Sequence, residues 1–174
     1  MKRFPVLLSL ITFFVACKNN NTPEVSGIPV NSRIERFDQF LFREVDTSNM
    51  PAAITRMNTA YPFFGNAFME YILGLPSLAG NGLNDSTGQA AVAEFKRFLR
   101  LTRPLYDSIA PKYSDVSDLE QELKEAFQYV KYYFPAYKVP KLVTYIGPFD
   151  TPGVAVTSDA MAIGLQLFAG KDFS

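Results

Sequence analysis

The chain has 174 residues, 48% hydrophobic and 20% charged, and its 16 Phe and 9 Tyr supply enough apolar mass for one globular core. Seventeen basic residues balance 17 acidic ones, which leaves no surplus positive charge to track nucleic-acid phosphates. The absence of histidine and the single cysteine remove the commonest general base, the usual zinc ligand and any intrachain disulfide.

Residues 1–16 have the grammar of an export signal: basic Lys2 and Arg3, an apolar run over 6–15 interrupted only by Ser9 and Thr12, then small Ala16. The run is shorter than the roughly 20 apolar residues a membrane-spanning helix needs. Phe14, Val15 and Ala16 precede Cys17, and this resembles the lipobox of bacterial lipoproteins, with Phe14 where Leu is commonest. The resemblance implies cleavage before Cys17 and acylation of its thiol, palmitate being a typical chain. Removing Lys2 and Arg3 leaves 15 basic residues against 17 acidic ones, so the mature chain is mildly acidic.

Residues 18–32, rich in Asn, Pro, Gly and Ser, read as a flexible tether, with order beginning near Arg33. Ile34, Phe37 and Leu41 follow helical spacing, while Phe40 and Phe42 blur the face and leave a strand open. A helix is expected around 52–59. A second is expected to open at Tyr61-Pro62, with Phe64, Phe68, Tyr71 and Leu75 as its core stripe. Residues 80–88, GNGLNDSTG, are a loop by composition, followed by an amphipathic helix with Val92, Phe95, Leu99 and Thr102 inward and Lys96, Arg97 and Arg100 in water. Ser117 and Glu120 fit a capping box for a last helix carrying Leu119, Leu123, Phe127, Val130 and Phe134, ended by Pro135.

After Tyr137 the period becomes extended. Residues 142–146, 154–157 and 161–168 are short β-rich runs separated by GPFDTPG and Ser158-Asp159. Helices first and strands last predict an α+β domain over 33–174, with the strands forming a small antiparallel meander. The last run meets GKDFS with nothing after it to cover an apolar edge, so a chain incomplete at its C-terminus is expected.

The carboxylate pairs Glu120 with Glu122 and Asp115 with Asp118 have the residue types of an acid and base couple, but their place at a helix N-terminus favours a solvated, dipole-stabilising role. Gly80, Gly82 and Gly88 lack the spacing and the Lys-Ser/Thr ending of a phosphate loop. The aromatic run 129–137 reads as a helix end plus core, with a carbohydrate-stacking or partner-binding surface as its alternative.

Several segments together resemble the gliding-motility lipoprotein GldB family of Bacteroidetes: residues 36–42 (RFDQFLF), 61–64 (YPFF), 133–146 (YFPAYKVPKLVTYI) and 162–170 (AIGLQLFAG), in that order behind the lipobox. The resemblance implies a lipid-anchored, periplasm-facing accessory of the gliding machinery, which is linked with type IX secretion. Other proteins of that machinery are its expected partners. It brings no catalytic residue. It also implies a distant likeness to zinc metallopeptidases, in a truncated and degenerate zincin-like form. There residues 161–168 would occupy the edge strand and a metal-binding helix would follow Ser174. Family chains continue past this point, and many carry an acidic residue where this one has Gln166.

The expected protein is therefore a non-enzymatic lipoprotein without a cofactor, anchored through Cys17, with Arg36, Phe37 and Asp38 as a structural or partner element. The alternatives are the N-terminal part of a zinc-peptidase relative, or a glycan-binding surface lipoprotein using the aromatics of 132–137.

Overall fold

In the computed structural model, residues 22–78 and 85–170 are described. The expected export signal and Cys17 lie outside them. Strand β1 (Ile34–Arg36) comes first and runs without a break into α1, an α-helical turn at Phe37–Gln39 continued by a wider π-type turn at Phe40–Glu44. Both readings of this segment hold, because its three-residue strand and its helix share one stretch of apolar residues. Helix α2 (Met50–Ala60) has Asn49 as N-cap, its side chain accepting from the Ala52 N–H at 3.3 Å, and Pro51 in the first turn.

Helix α3 begins at Gly65–Ala67, three residues later than Pro62 suggested, and widens into a π-type turn at Phe68–Ile72. That wider turn shifts the phase of the helix by about one residue. Phe64, Phe68 and Ile72 are buried, while Tyr71, expected inside, is 76% exposed. Helix α4 (Ser86–Ile109) starts within the expected loop, where Asp85 caps it by accepting from the Gly88 N–H at 2.7 Å. Helix α5 (Ser117–Tyr133) has no capping box: Asp115 accepts from the Ser117 N–H, and Glu120 instead accepts from the Ile34 N–H at 2.7 Å. Glu120 thus closes a backbone donor on β1.

The α+β class holds, but the antiparallel meander is corrected to a mixed sheet. Strands β2 (Lys141–Tyr145), β3 (Val154–Val156) and β4 (Ala160–Gly164) join β1 in the order β1-β2-β4-β3. Strand β1 pairs β2 in parallel, Ile34 opposite Leu142, and β2 pairs β4 in parallel, Leu142 opposite Met161; only β3 and β4 are antiparallel. The cause is connectivity. Helices α1 to α5 all lie between β1 and β2 and bring the chain back to the same end, as a parallel pair requires. The loop after β2 then passes beyond β4's place, so β4 inserts between β2 and β3. Residues 161–168 do not form the edge strand: β4 is paired on both sides, and residues 165–168 turn into a short 3-10 helix.

Both faces of the sheet are covered on its β1–β2 side. Val143, Tyr145, Ala160 and Ala162 face the main core with Phe37, Phe64, Phe68, Met57, Phe95 and Ile109 from α1 to α4. Leu142 and Ile34 point the other way, onto Phe127 of α5. The expected tether is also packed over part of its length, because Val25 gives it an apolar residue to bury. Tyr145 lies between two glycines. A Cβ on Gly147 would meet its ring at 2.9 Å, and one on Gly164 would meet the ring and hydroxyl at 3.0 Å.

Phe37 is fully buried and makes edge-to-face contacts with Tyr61 at 5.0 Å, Phe64 at 5.2 Å and Phe68 at 5.0 Å. Phe37→Ala is expected to lower the unfolding free energy by about 3–5 kcal/mol in urea titration, whereas Tyr71→Ser should change it by less than about 0.5 kcal/mol. Similar losses for both would refute this placement of the core.

Candidate functional site

The three residues singled out at the start of the fold are brought together, though they face two ways. Phe37 enters the aromatic core, while Arg36 and Asp38 on either side of it meet on the opposite face. Arg36 Nε donates to Asp38 Oδ1 at 2.9 Å and Arg36 Nη2 to Oδ2 at 2.8 Å, a bidentate pair. Thr144, opposite Arg36 in the β1–β2 ladder and fully buried, donates its hydroxyl to Asp38 Oδ1 at 2.5 Å. Arg36 Nη1 reaches the carbonyl of Tyr113, between α4 and α5, at 2.7 Å.

Asp38 is 1% exposed, so its charge is compensated entirely by protein groups. Thr144 was not anticipated. It lies 106 residues from Asp38 in the chain, and no local signal connects them.

On the main-core side of the β1 edge, Lys141 pairs with Glu35 at 3.1 Å and holds its ammonium 4.3 Å over the Phe63 ring. Tyr61 sits nearby, half-buried. Burial first, then the carboxylates of Glu35, Glu44 and Asp38, pushes its hydroxyl up to about 12. It therefore stays protonated at any physiological pH and offers a hydrogen-bond donor, not a base.

The opposite edge is open among the described residues. The Gly164 N–H donates to the Gly153 carbonyl and the Thr157 N–H to the Ala160 carbonyl, both at 2.8 Å, which makes Ala155 and Ala162 the hydrogen-bonded pair between them. The backbone N–H and C=O groups of Val154 and Val156 consequently point away from β4. Their side chains are 45% and 66% exposed. Along this edge runs a groove of about 600 Å³ between Phe63, Phe64, Ala67 and Tyr71 of the α3 region and residues 155–159.

A second groove of about 640 Å³ lies over Leu41, Phe42 and Val45 and is rimmed by Lys96, Arg97, Arg100 and Arg103 of α4. Arg97 is paired with Glu94 and Arg103 with Asp107, and Arg103 also donates to the Phe42 carbonyl.

Of the four carboxylates near the start of α5, Glu120 is taken up by β1, and the Ser117 backbone and hydroxyl hold Asp115 below the ordinary carboxylate value. Among the described residues no group of three His, Cys, Asp or Glu side chains is placed to hold a metal ion. Gln166 is buried and donates its amide to the Pro148 carbonyl at 3.3 Å.

Fold and site together define an α+β domain organised around a buried ion pair, with Glu120 and a Lys141–Glu35 pair on one sheet edge and the other edge open beside a groove. The family model described as gliding motility protein GldB matches residues 18–174, and the chain belongs to that family. Comparisons with curated proteins and with solved structures gave no match.

Asp38→Ala removes the carboxylate partner of Arg36, leaving it the Tyr113 carbonyl, and the acceptor of the Thr144 hydroxyl, and should cost about 3–5 kcal/mol of unfolding free energy. Replacing Arg36 and Asp38 together with Met and Leu should cost less than Asp38→Ala alone, since no buried charge is then orphaned. Chemical denaturation of the three variants measures the difference, and a double variant at least as damaged as the single one would show that the pair itself carries the stability.

Proposed function

We propose that the chain is a lipid-anchored accessory of the gliding machinery, held through Cys17 on the periplasmic side of a membrane and acting by protein contacts rather than catalysis. The observation that carries this reading is the family match itself, which starts at residue 18, directly after the cysteine of the lipobox-like sequence. Among the described residues no helix is long and apolar enough to cross a membrane, so these residues supply no helical span to do the anchoring. Buried acyl chains contribute about 0.8 kcal/mol per methylene, and two or more hold a protein stably.

Arg36, Phe37 and Asp38 are a structural element in this reading, tying strands, helix and loop together. The contact surface is the open β3 edge. Its outward backbone donors and acceptors at Val154 and Val156 match an extended strand of a partner protein, and the adjoining groove offers Phe63 and Tyr71 to that strand's side chains.

Radiolabelled palmitate should enter the wild-type chain and not Cys17→Ala, and equal labelling would rule out acylation there. A gene deletion should abolish colony spreading while unrelated lipoproteins stay in place; the wild-type gene should restore spreading and Cys17→Ala should not. A deletion strain that spreads normally would remove the chain from the machinery.

Val156→Pro tests the edge separately. It removes an outward-facing N–H and none of the ladder bonds to β4, so the melting temperature should move by no more than about 3 °C. Spreading should nevertheless be lost; a folded Val156→Pro protein that restores it would show that strand addition at β3 is not the contact.

A further inference from the structure

The N-terminal segment is fastened to α5 as soon as it enters the described structure. Val25 is buried, and Gln128, itself only 4% exposed, donates its side-chain amide to the carbonyls of Ser26 at 3.1 Å and Ile28 at 3.0 Å. Cys17 precedes Thr22 by five residues, and five residues of chain span at most about 18 Å. Anything that holds Cys17 therefore holds this side of α5 close to itself.

One helical turn beyond Gln128, on the same stripe, stands Tyr132. With Tyr133 and Phe134 at the helix end and Tyr137 just after it, it forms an aromatic cap: the four are 49%, 62%, 67% and 39% exposed. The cap is held in shape from within. Tyr132 and Tyr133 meet edge to face at 5.0 Å, and Tyr137 stacks on buried Phe127 at 6.3 Å. No carboxylate occurs between Glu125 and Asp150, while Lys131, Lys138 and Lys141 fall within that stretch. Lys141 is paired with Glu35; Lys131 and Lys138 form no ion pair among the described residues.

We propose that this cap is a bilayer-contact surface, its tyrosine rings at the level of the lipid headgroups and Lys131 and Lys138 against lipid phosphates. Three features on the same helix end favour lipid over a sugar or a protein. The acyl anchor lies within reach, the rings combine an apolar body with a polar tip as interfacial aromatics do, and an anionic leaflet meets lysines without a carboxylate between them. The proposal rests on the acylation of Cys17. It adds a fixed orientation: α5's C-terminal end faces the membrane.

The chain contains no tryptophan, so Tyr133→Trp places a single reporter in the cap and Leu101→Trp places one on exposed α4. The mature acylated protein is reconstituted into vesicles of phosphatidylethanolamine and phosphatidylglycerol, with or without brominated acyl chains, and floated on a density gradient. Both variants should float; brominated lipid should lower the Tyr133→Trp emission at least about two-fold and leave the Leu101→Trp emission unchanged. Flotation without quenching, or equal quenching in both variants, would overturn the cap and leave the anchor standing. Failure to float would overturn the anchor and the cap with it. An emission shift on adding a soluble oligosaccharide, without lipid quenching, would assign the cap to sugar and overturn its contact with lipid.

Discussion

The buried carboxylate of Asp38 constrains the arrangement of everything around it. A charge with 1% exposure must find all its partners inside the protein, and here they come from the preceding strand, from a strand 106 residues later and, through Arg36, from the α4–α5 connection. Such a group adds little net stability compared with an apolar core of the same shape. It does penalise alternatives: a one-residue slip of β1 against β2 would separate Arg36 from Thr144 and turn Arg36 to the wrong face. In a strand of three residues, where ladder bonds are few, this polar tie selects the register.

The sheet built on that register is asymmetric. On the β1 side the first backbone N–H is taken by Glu120, Lys141 and Glu35 pair across the strands, and α5 closes the face over Leu142. On the β3 side the valines are left in water and a groove runs beside them. Placing charge on one edge and leaving the backbone of the other unpaired is an economical way for a small domain to direct strand association to one edge.

Much of the helical architecture was legible because periodicity is local. Met57, Phe64, Phe68, Phe95, Leu99 and Phe127 are buried, five of them where the spacing placed them, and α2, α4 and α5 lie close to their expected spans. The failures have identifiable physical causes. Tyr71 turned outward because a π-type turn added about one residue to the helical phase, and nothing in FMEYI announces such a turn. Glu120 left its capping box for a backbone donor far away in sequence, a choice fixed by tertiary contact. Strand sense failed for the same reason: short β-rich runs reveal where strands are, while parallel or antiparallel pairing depends on where the connections travel. The Arg36-Phe37-Asp38 triplet stood out by resemblance. Its chemistry needed Thr144 and the Tyr113 carbonyl, which only the folded chain supplies.

The parallel pairing of β1 with β2 has a kinetic corollary. Strand β1 is among the first structured pieces of the chain to be synthesised, yet its ladder partner is separated from it by every long helix. Contacts of such sequence separation carry a large loop-closure entropy and form late. As the chain emerges the helices have local reasons to form while Ile34 and Arg36 wait, and the β1 ladder can form only when residues 141–145 arrive. Completion of the sheet is thereby coupled to emergence of residues 141–164, and a nascent product stalled before that point keeps its buried-charge pocket unfinished and open to proteolysis.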